Sequence, residues 1–454
     1  MRIHFIAIGG SAMHNLALAL HDKGYQISGS DDQIFEPSRG RLEKAGILPD
    51  EMGWFPNKIN GDLDAIILGM HARTNNPELL RAQEMGLRVY SYPEFLFQQT
   101  QSKKRVVIGG SHGKTSITSM ILHVLNEVDM KCDFMVGAQL EGFNRMVNLE
   151  ESTEVAIFEG DEYLSSPIDR RPKFLHYKPH VALISGIAWD HINVFPTFEG
   201  YVDQFKLFVE SIEPGGKLIW YKNDEHLQEV TNKALGNTTS LPYEAHPNNV
   251  NDGITSLITE NGPVELQIFG NHNMENLKGA MLVCRELGIS DTAFYQAIST
   301  FGGASLRLEL IDKCSTGAVY RDFAHSPSKL KATVSALREQ FPTRRLIACM
   351  ELHTFSSLSA DFLTEYDGCM DEADIAIVYY SQEALKHKKL EMISKNDVLA
   401  GFGGGVTVHT DSEILKDYLL HTSMEETNIL LMTSGNFGGM DIIALGKQLI
   451  EFSE

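Results

Sequence analysis

Short apolar runs alternate with helical stripes of apolar residues along this chain. The first run, at residues 4–8, precedes Gly9-Gly10, and a helical stripe follows at 13–20. A second strand-like segment, at 25–31, ends in an acid. This order predicts a strand, a helix and a second strand, with a glycine turn after the first strand.

The same alternation continues through two further segments. Polar residues at 98–104 predict a linker. After the linker, a buried-strand run at 105–108 precedes a glycine-rich loop and a helical stripe at 117–125. From about residue 301, strand candidates recur at 318–320, 346–348, 375–378 and 429–432. Alternating strands and helices predict an α/β protein whose mainly parallel sheets are covered by helices.

The composition is that of a folded protein with several domains. Of 454 residues, 43% are hydrophobic and 22% charged, and the formal net charge is −21. A chain this acidic is not expected to bind nucleic acid or an anionic membrane surface. The five cysteines form no CxxC pair, which favours a reducing compartment over disulfides or structural zinc. The sequence has no leader-like or membrane-length apolar run, so a cytoplasmic protein is expected.

The most specific motif is the loop Gly110-Ser111-His112-Gly113-Lys114-Thr115-Ser116. Such a loop directs backbone N–H groups and a helix N-terminus at phosphate oxygens. Lys114 is expected to neutralise phosphate charge, and the Thr115 hydroxyl to reach Mg²⁺. The loop is shorter than the strict P-loop pattern, but the strand before it and the helix after it favour nucleotide binding over a chance match.

Two polar segments follow neighbouring strands of the same unit. Glu159-Gly160-Asp161-Glu162-Tyr163 follows one strand, and Trp189-Asp190-His191 follows the next. Because the carboxyl ends of parallel strands meet at one sheet edge, both segments are expected beside the loop. Mg²⁺ prefers oxygen ligands, so Glu162 is a reasonable ligand and His191 an unusual one. Taken singly, a solvated loop acid and a structural histidine are the simpler interpretations.

Two further segments carry polar side chains that suit a nucleotide. A predicted helix opens with the segment Gly270-Asn271-His272-Asn273-Met274-Glu275-Asn276. Asparagine amides can pair with an adenine edge. An N-cap is the simpler role for these asparagines. Arg321-Asp322-Phe323-Ala324-His325-Ser326-Pro327 follows a strand, where Asp322 and His325 could touch ribose, phosphate or an amine. A polar turn closed by Pro327 explains that segment equally well.

Together these segments resemble the Mur ligase family, the ATP-dependent amide-forming ligases of cell-wall synthesis. The resemblance runs through the chain in order, from the Ile8-Gly9-Gly10-Ser11-Ala12-Met13 opening to Arg307 with Glu309 and the 322–327 segment. It implies a Rossmann-like UDP-sugar domain at 1–101, a P-loop ATP-binding domain at 102–300 and a Rossmann-like amine-substrate domain at 301–454. It also implies ATP, Mg²⁺ and UDP-N-acetylmuramate as ligands. A monomer or weak homo-oligomer is expected.

The resemblance assigns roles residue by residue. Those expected to bind the nucleotide are Gly110, Ser111, His112, Gly113, Lys114, Thr115, Ser116, His272, Asn273, Asn276, Arg307 and Asp322. Those expected to hold the metal are Thr115, Glu162 and His191. Those expected in catalysis are Lys114, Glu162, His191, Asp322 and His325. Those expected to bind the UDP part are Gly9, Gly10, Ser11, Ala12, Met13 and Asp31. Lys206 stands where several members carry a carbamylated lysine, and a helix-surface role is expected for it here.

The amine substrate is indicated by three segments. The opening indicates the branch of the family that uses UDP-N-acetylmuramate, in which one enzyme adds L-alanine and another the tripeptide L-alanyl-γ-D-glutamyl-meso-diaminopimelate. Segments 168–177 and 434–439 resemble the tripeptide enzyme, and 351–356 resembles the alanine enzyme. We interpret the chain as the tripeptide enzyme, with Arg170, Arg171 and Lys173 reading substrate carboxylates. A solvated turn closed by Pro172 is the alternative role for those three residues.

Two other classes of protein could use parts of this pattern. A nicotinamide oxidoreductase would use the first glycine turn, but that turn lacks the GxGxxG spacing and leaves the P-loop unexplained. A nucleotide-gated switch would use the P-loop without forming a bond. ATP turnover that depends on an added muramate substrate would exclude the switch.

Overall fold

The computed structural model describes residues 1–139, 143, 145–189, 194–304 and 306–451. Within that part of the chain it has four sheets. The chain divides into two compact units. The first comprises Met1–Ile187, Thr197–Glu244 and Gly279–Phe294, and the second comprises Ala188–Pro196, Ala245–Lys278 and Tyr295–Glu454.

The first unit opens with a small parallel sheet. Its strands are β1 (Arg2–Ile6), β2 (Gln26–Ser30), β3 (Ala65–Leu68) and β4 (Val89–Ser91). The helices of this region are α1 (Ser11–Asp22), α2 (Ser38–Lys44), α3 (Pro77–Glu84) and α4 (Tyr92–Gln99), with a 3₁₀ helix at Pro56–Lys58. The strand order is β2-β1-β3-β4. Every residue of β3 is buried, as expected for a parallel strand covered on both faces.

The second sheet of this unit is larger. Its strands are β5 (Lys104–Gly109), β6 (Asp133–Met135), β7 (Val147–Asn148), β8 (Val155–Glu159), β9 (Val181–Ile184), β10 (Lys217–Tyr221) and β11 (Thr239–Tyr243). Its helices are α5 (Lys114–Glu127), α6 (Phe198–Glu210) and α7 (Glu225–Ala234), with a 3₁₀ helix at Lys173–His176. The order is β11-β10-β9-β5-β8-β6-β7, and only β7 runs antiparallel to its neighbour. Because β5 lies between β8 and β9, the segments after these three strands share one sheet edge.

The predicted polar linker contains a buried ion pair. The Lys103 side chain is 7% exposed and that of Asp133 1%. Lys103 Nζ donates to Asp133 Oδ2 and to Thr153 Oγ1, both at 2.6 Å. Asp133 Oδ1 also accepts the Glu150 N–H at 2.8 Å. This network joins the residue before β5 to β6 and to the loop before β8.

The second unit has one antiparallel and one mainly parallel sheet. The antiparallel strands are β12 (Asn248–Asn251), β13 (Ile254–Thr259) and β14 (Gly262–Leu266). The other strands are β15 (Glu309–Lys313), β16 (Ala318–Asp322), β17 (Arg345–Leu352), β18 (Ile375–Tyr380), β19 (Val406–His409) and β20 (Thr427–Met432). They lie in the order β15-β16-β20-β17-β18-β19, with only β15 antiparallel to its neighbour.

The remaining helices complete the chain. Two of them, α8 (Asn271–Glu286) and α9 (Asp291–Ile298), have residues in both units. The others are α10 (Pro327–Gln340), α11 (Gln382–Lys388), α12 (Lys395–Gly401), α13 (Ser412–Leu420) and α14 (Ile442–Glu451), with a 3₁₀ helix at Ala360–Tyr366. The mainly parallel α/β fold predicted from the sequence is confirmed. In the described part of the chain, no helix combines the length and the apolar character needed to cross a membrane.

The core of the second unit lies on both faces of its larger sheet. Strand β17 sends Ala348 and Met350 to one cluster of buried side chains and Ile347 and Cys349 to the other. Successive strand residues point to opposite faces, so both faces of β17 must be covered by helices.

Cysteines differ in exposure. Cys132, Cys284, Cys349 and Cys369 are buried, whereas Cys314, between β15 and β16, is partly exposed. Burial raises the pKa of the Cys132 thiol to about 12 and also raises the pKa of the other three buried thiols.

Candidate functional site

The P-loop connects β5 to α5, as the sequence predicts. β5 ends at Gly109 and α5 begins at Lys114, with Gly113 in the left-handed conformation at φ 77°. Gly110 has φ 129°, and a Cβ there would lie 2.2 Å from Ser185 Oγ. Only glycine fits this position, because both the backbone conformation and the nearby side chain exclude a larger residue. The loop therefore lies directly against the end of β9.

Lys114 is held inside the loop. Its Nζ donates to the Gly110 carbonyl oxygen and, at 2.7 Å, to Glu162 Oε2. Burial lowers the pKa of Lys114, but the neighbouring carboxylates, Glu162 foremost, outweigh it and raise that pKa above its ordinary value. Lys114 is therefore charged at neutral pH and available to compensate phosphate charge.

Glu159 occupies a position that the sequence analysis did not single out. It is the last residue of β8 and is paired in register with Ile108 of β5. Its Oε1 accepts the Thr115 hydroxyl at 3.0 Å, and its Oε2 accepts the Gly137 N–H at 2.7 Å. Burial raises the pKa of Glu159, opposed by the Gly137 hydrogen bond and by Lys114. Thr115 thus faces Glu159, whereas Glu162 faces Lys114. The signal that could have identified Glu159 as a residue beside the loop is its position at the end of β8, in register with the end of β5.

The predicted metal set is only partly placed. His191, with Asp190, lies outside the described residues. Among the residues described, no group of three or more His, Cys, Asp or Glu side chains is arranged to hold a metal ion. Lys206, on α6, forms an ion pair with Asp203 one turn earlier, consistent with its expected helix-surface role.

The first glycine turn makes a close contact with Asp31. The Gly9 N–H donates to Asp31 Oδ2 at 2.7 Å, and a Cβ on Gly9 would lie 2.9 Å from that oxygen. Burial raises the pKa of Asp31. Ser11 begins α1 and its hydroxyl contacts Met146 Sδ, while Met13 is 4% exposed and belongs to the core. Gly9 and Asp31 are therefore placed together, and the Met13 side chain packs inward.

Two of the three basic residues expected to read carboxylates form ion pairs with acids of the protein. Arg171 forms a two-point ion pair with Asp169, with N–O distances of 2.7 and 3.0 Å. Lys173 pairs with Asp161 at 2.5 Å. Arg170 is exposed. Carboxylate recognition by these three residues stays a prediction.

The predicted adenine segment starts α8 in the second unit. Asn273 and Asn276 are each 7% exposed. The Asn273 amide donates to the Phe269 carbonyl at 2.8 Å, one turn before it. His272 lies beside Gly270, whose φ is 88°. This donated hydrogen bond ties Asn273 to a residue before its helix but is not an N-cap, and the adenine role of Asn273 and Asn276 stays a prediction.

Asp322 supports a loop. Its Oδ2 accepts the Leu308 N–H and its Oδ1 the Ala324 N–H, each at 2.6 Å. Burial raises the pKa of Asp322, opposed by Arg307 and by these two N–H groups. The Arg307 guanidinium lies 4.9 Å from the Phe323 ring centroid. With both oxygens engaged by backbone, Asp322 is placed as a residue that positions the loop carrying Arg307.

The loop after Asp322 is fixed by similar contacts. His325 Nδ1 lies 2.8 Å from the Phe323 carbonyl oxygen, and the His325 carbonyl accepts the Tyr366 hydroxyl at 2.6 Å. The ring of His325 therefore faces its own turn in this structure.

A cavity of about 460 Å³ lies where β17 and β18 end. It was not predicted, although it brings together two segments that indicated different amine substrates. At its floor, Glu351 is 1% exposed and accepts the Phe437 N–H at 2.8 Å and the Thr433 hydroxyl. Its other lining residues include His353, His387, Lys388, Lys389 and Asn436. Such a crevice at the carboxyl ends of parallel strands is the usual ligand site of an open α/β sheet.

Family models match nearly the whole chain. The Mur ligase family catalytic domain matches residues 2–104, the Mur ligase middle domain 108–284, and the Mur ligase glutamate ligase domain 306–435.

Named relatives carry two activities. The chain is 27% identical over 453 residues to the UDP-N-acetylmuramate–L-alanyl-γ-D-glutamyl-meso-2,6-diaminoheptandioate ligase of Escherichia coli K12, covering 97% of this chain and 96% of that protein. It is 30% identical over 389 residues to the UDP-N-acetylmuramate–L-alanine ligase of Caldicellulosiruptor bescii, covering 82% of each. A solved murein peptide ligase from Psychrobacter arcticus superposes with a TM-score of 0.67 at 23% identity, covering 99% of this chain and 98% of that one. This chain therefore belongs to the Mur ligase family, whose members are ATP-dependent ligases that form carbon–nitrogen bonds.

Proposed function

We propose that this protein joins UDP-N-acetylmuramate to the tripeptide L-alanyl-γ-D-glutamyl-meso-diaminopimelate at the expense of ATP, in the recycling of peptidoglycan. The observation that carries the proposal is the full-length similarity to the Escherichia coli enzyme of that name. Membership in a ligase family replaces the dehydrogenase and switch interpretations. The L-alanine ligase is the second candidate, favoured by the relative from Caldicellulosiruptor bescii.

The chemistry requires two displacements. An oxygen of the muramate carboxylate attacks the γ-phosphorus of ATP, and ADP leaves with the bridging oxygen. The amine of the tripeptide then attacks the acyl carbon, inorganic phosphate leaves, and the nitrogen loses a proton. The protein contributes positioning and charge compensation in both steps. Lys114 and the N-terminus of α5 supply positive charge where the phosphates of ATP would lie, although the whole chain carries −21.

Magnesium fits the pair formed by Thr115 and Glu159. A hydroxyl and a buried carboxylate oxygen 3.0 Å apart provide the hard oxygen donors that Mg²⁺ prefers. We propose that Mg²⁺ is held here; the metal role expected for His191, which lies outside the described residues, stays a prediction. When bound, the ion would compensate charge on the phosphate oxygens.

Replacing Glu159 by glutamine is expected to raise the Mg²⁺ concentration for half-maximal turnover about tenfold or more. Glu162→Gln is the matched comparison, because it removes the charge of a buried acid that faces Lys114. We expect it to raise the Mg²⁺ concentration for half-maximal turnover by a smaller factor. Excess Mg²⁺ should rescue Glu159→Gln, since mass action offsets weaker affinity. Titrations in which Glu162→Gln shifts the curve further than Glu159→Gln would assign the metal to Glu162, as the sequence first indicated.

The amine substrate is proposed to bind in the cavity at the ends of β17 and β18. The free end of the tripeptide carries both an ammonium and a carboxylate group on the diaminopimelate side chain. The acids Glu351 and Glu383 and the basic side chains that line the cavity complement these two charges, and Glu383 is the exposed acid of the two. Lys388 is held at the cavity with its Nζ 4.5 Å from the Phe355 ring centroid. L-Alanine is far smaller than the cavity and lacks this charged end.

An ADP-release assay with UDP-N-acetylmuramate and a panel of amines tests the function. We expect kcat/KM to be highest for the diaminopimelate tripeptide and at least about tenfold lower for L-alanine, because a charge-assisted contact is worth that much. Lys388→Ala should lower kcat/KM for this tripeptide about tenfold, but change it little for the lysine-containing tripeptide, which lacks the terminal carboxylate.

Lys386→Ala is the matched control for Lys388→Ala. Lys386 is exposed on the same helix and does not line the cavity. A preference of the unaltered protein for L-alanine would establish the second candidate function. Equal losses with both tripeptides would place Lys388 away from the terminal carboxylate.

A further inference from the structure

We propose that Tyr201 is a positioning residue that controls how readily Lys114 is released to ATP. Tyr201 lies on α6 and is fully buried. Its hydroxyl oxygen is 3.0 Å from Glu162 Oε1 and 2.7 Å from Ser111 Oγ of the P-loop. The inference rests on the proposed use of ATP and adds a residue from an element that the P-loop motif does not include.

The direction of these hydrogen bonds follows from counting protons. A tyrosine hydroxyl has one proton, and an ionised carboxylate can only accept. Tyr201 therefore donates to Glu162, and its oxygen accepts the proton of Ser111. The result is a directed chain from Ser111 through Tyr201 to Glu162, with Lys114 donating to the other oxygen of the same carboxylate.

Glu162 is thus shared by two donors. Its side chain is 1% exposed, so it cannot turn to water when a donor leaves. For Lys114 to contact a phosphate, its ammonium group must weaken its bond to Glu162. Because Tyr201 still donates to the carboxylate, Glu162 keeps a partner when Lys114 moves. A buried carboxylate that loses one of its donors becomes more costly and would hold Lys114 more tightly.

The same hydroxyl constrains the loop. Ser111 is 6% exposed, and its N–H donates to the Gly186 carbonyl at 3.0 Å. With backbone and side chain both engaged, Ser111 is fixed in the loop and orients the Tyr201 hydroxyl toward Glu162. Tyr201 therefore acts on ATP binding through the charge of Glu162, without contacting the nucleotide itself.

The test is the affinity for ADP, measured by titration calorimetry without muramate or amine. We expect Tyr201→Phe to raise the Kd for ADP about tenfold, the scale of one hydrogen bond to a charged group. In the full reaction, we expect the KM for ATP to rise by a similar factor and kcat at saturating ATP to change by less than about threefold. An interaction that is lost equally from the ground state and the transition state raises KM and leaves kcat nearly unchanged. This measurement does not depend on which amine is used.

Two comparisons separate positioning from a structural role. Tyr380→Phe removes an equally buried hydroxyl, bonded to the Ile393 carbonyl at 3.0 Å, and should leave ADP affinity unchanged. In a Glu162→Gln background, Tyr201→Phe should have less than about a twofold further effect, because the charge through which it acts is gone. ADP affinity within twofold of normal in Tyr201→Phe, or an undiminished tenfold effect in the Glu162→Gln background, would overturn the proposal.

Discussion

Replacing Lys114 by alanine is expected to lower the ligation rate about 10²–10³-fold, the usual cost of losing one preorganised group that stabilises developing charge. Lys114 Nζ already lies in the loop at the start of α5, 2.7 Å from Glu162. Its ammonium group is therefore positioned before ATP arrives. Because Tyr201 also donates to Glu162, we expect the variant to remain folded.

The measurement is ADP release at saturating substrates, together with a thermal unfolding curve. Lys206→Ala is the control, because that lysine lies on the helix surface paired with Asp203. We expect it to keep the normal rate. If folded Lys114→Ala retains more than about a third of normal turnover, well above the expected range, Lys114 does not act on the phosphates.

Lys103→Ala is expected to destabilise the first unit by about 3–5 kcal/mol. The change leaves the Asp133 carboxylate charged and buried without its cation, which is the costly way to break a buried ion pair. Asp133 and Thr153 also lose their common hydrogen-bond partner. Denaturant unfolding followed by tryptophan fluorescence measures the difference in the free energy of unfolding.

Lys233→Ala provides the comparison for Lys103→Ala. Lys233 pairs with Glu229, but both side chains are more than half exposed, at 61% and 67%. Such a pair contributes about 0–1 kcal/mol. Equal changes in the two variants would mean that the Lys103 pair is solvated in solution.

The P-loop was predictable because its chemistry is local. The strand, the glycine turn and the helix follow one another directly between residues 104 and 127, and each glycine is required by backbone geometry or a close contact. The parallel strands were predictable for a related reason: strands buried on both faces are continuous apolar runs. The prediction was weakest where strands are exposed. β12, with the sequence Asn-Asn-Val-Asn, carries no apolar pattern, so the antiparallel sheet was missed.

The choice between Glu159 and Glu162 could not be made from the sequence. Glu159 ends β8 and Glu162 follows it, and only the folded loop between β5 and α5 brings the Thr115 hydroxyl to Glu159. The ion pairs of Arg171 and Lys173 could not be predicted either. A charge pattern does not tell whether a basic side chain pairs with an acid of the protein, as Arg171 does with Asp169 and Lys173 with Asp161, or binds a ligand.

The uneven burial of the cysteines makes the unaltered protein suitable for site-directed labelling. Thiol reagents attack the thiolate, and burial suppresses both access and ionisation at Cys132, Cys284, Cys349 and Cys369. Cys314 is left as the accessible position. It lies in the turn before β16, the strand whose far end is Asp322, about 13 Å along the strand. A fluorophore attached there would report on the second unit during turnover without removal of any other cysteine.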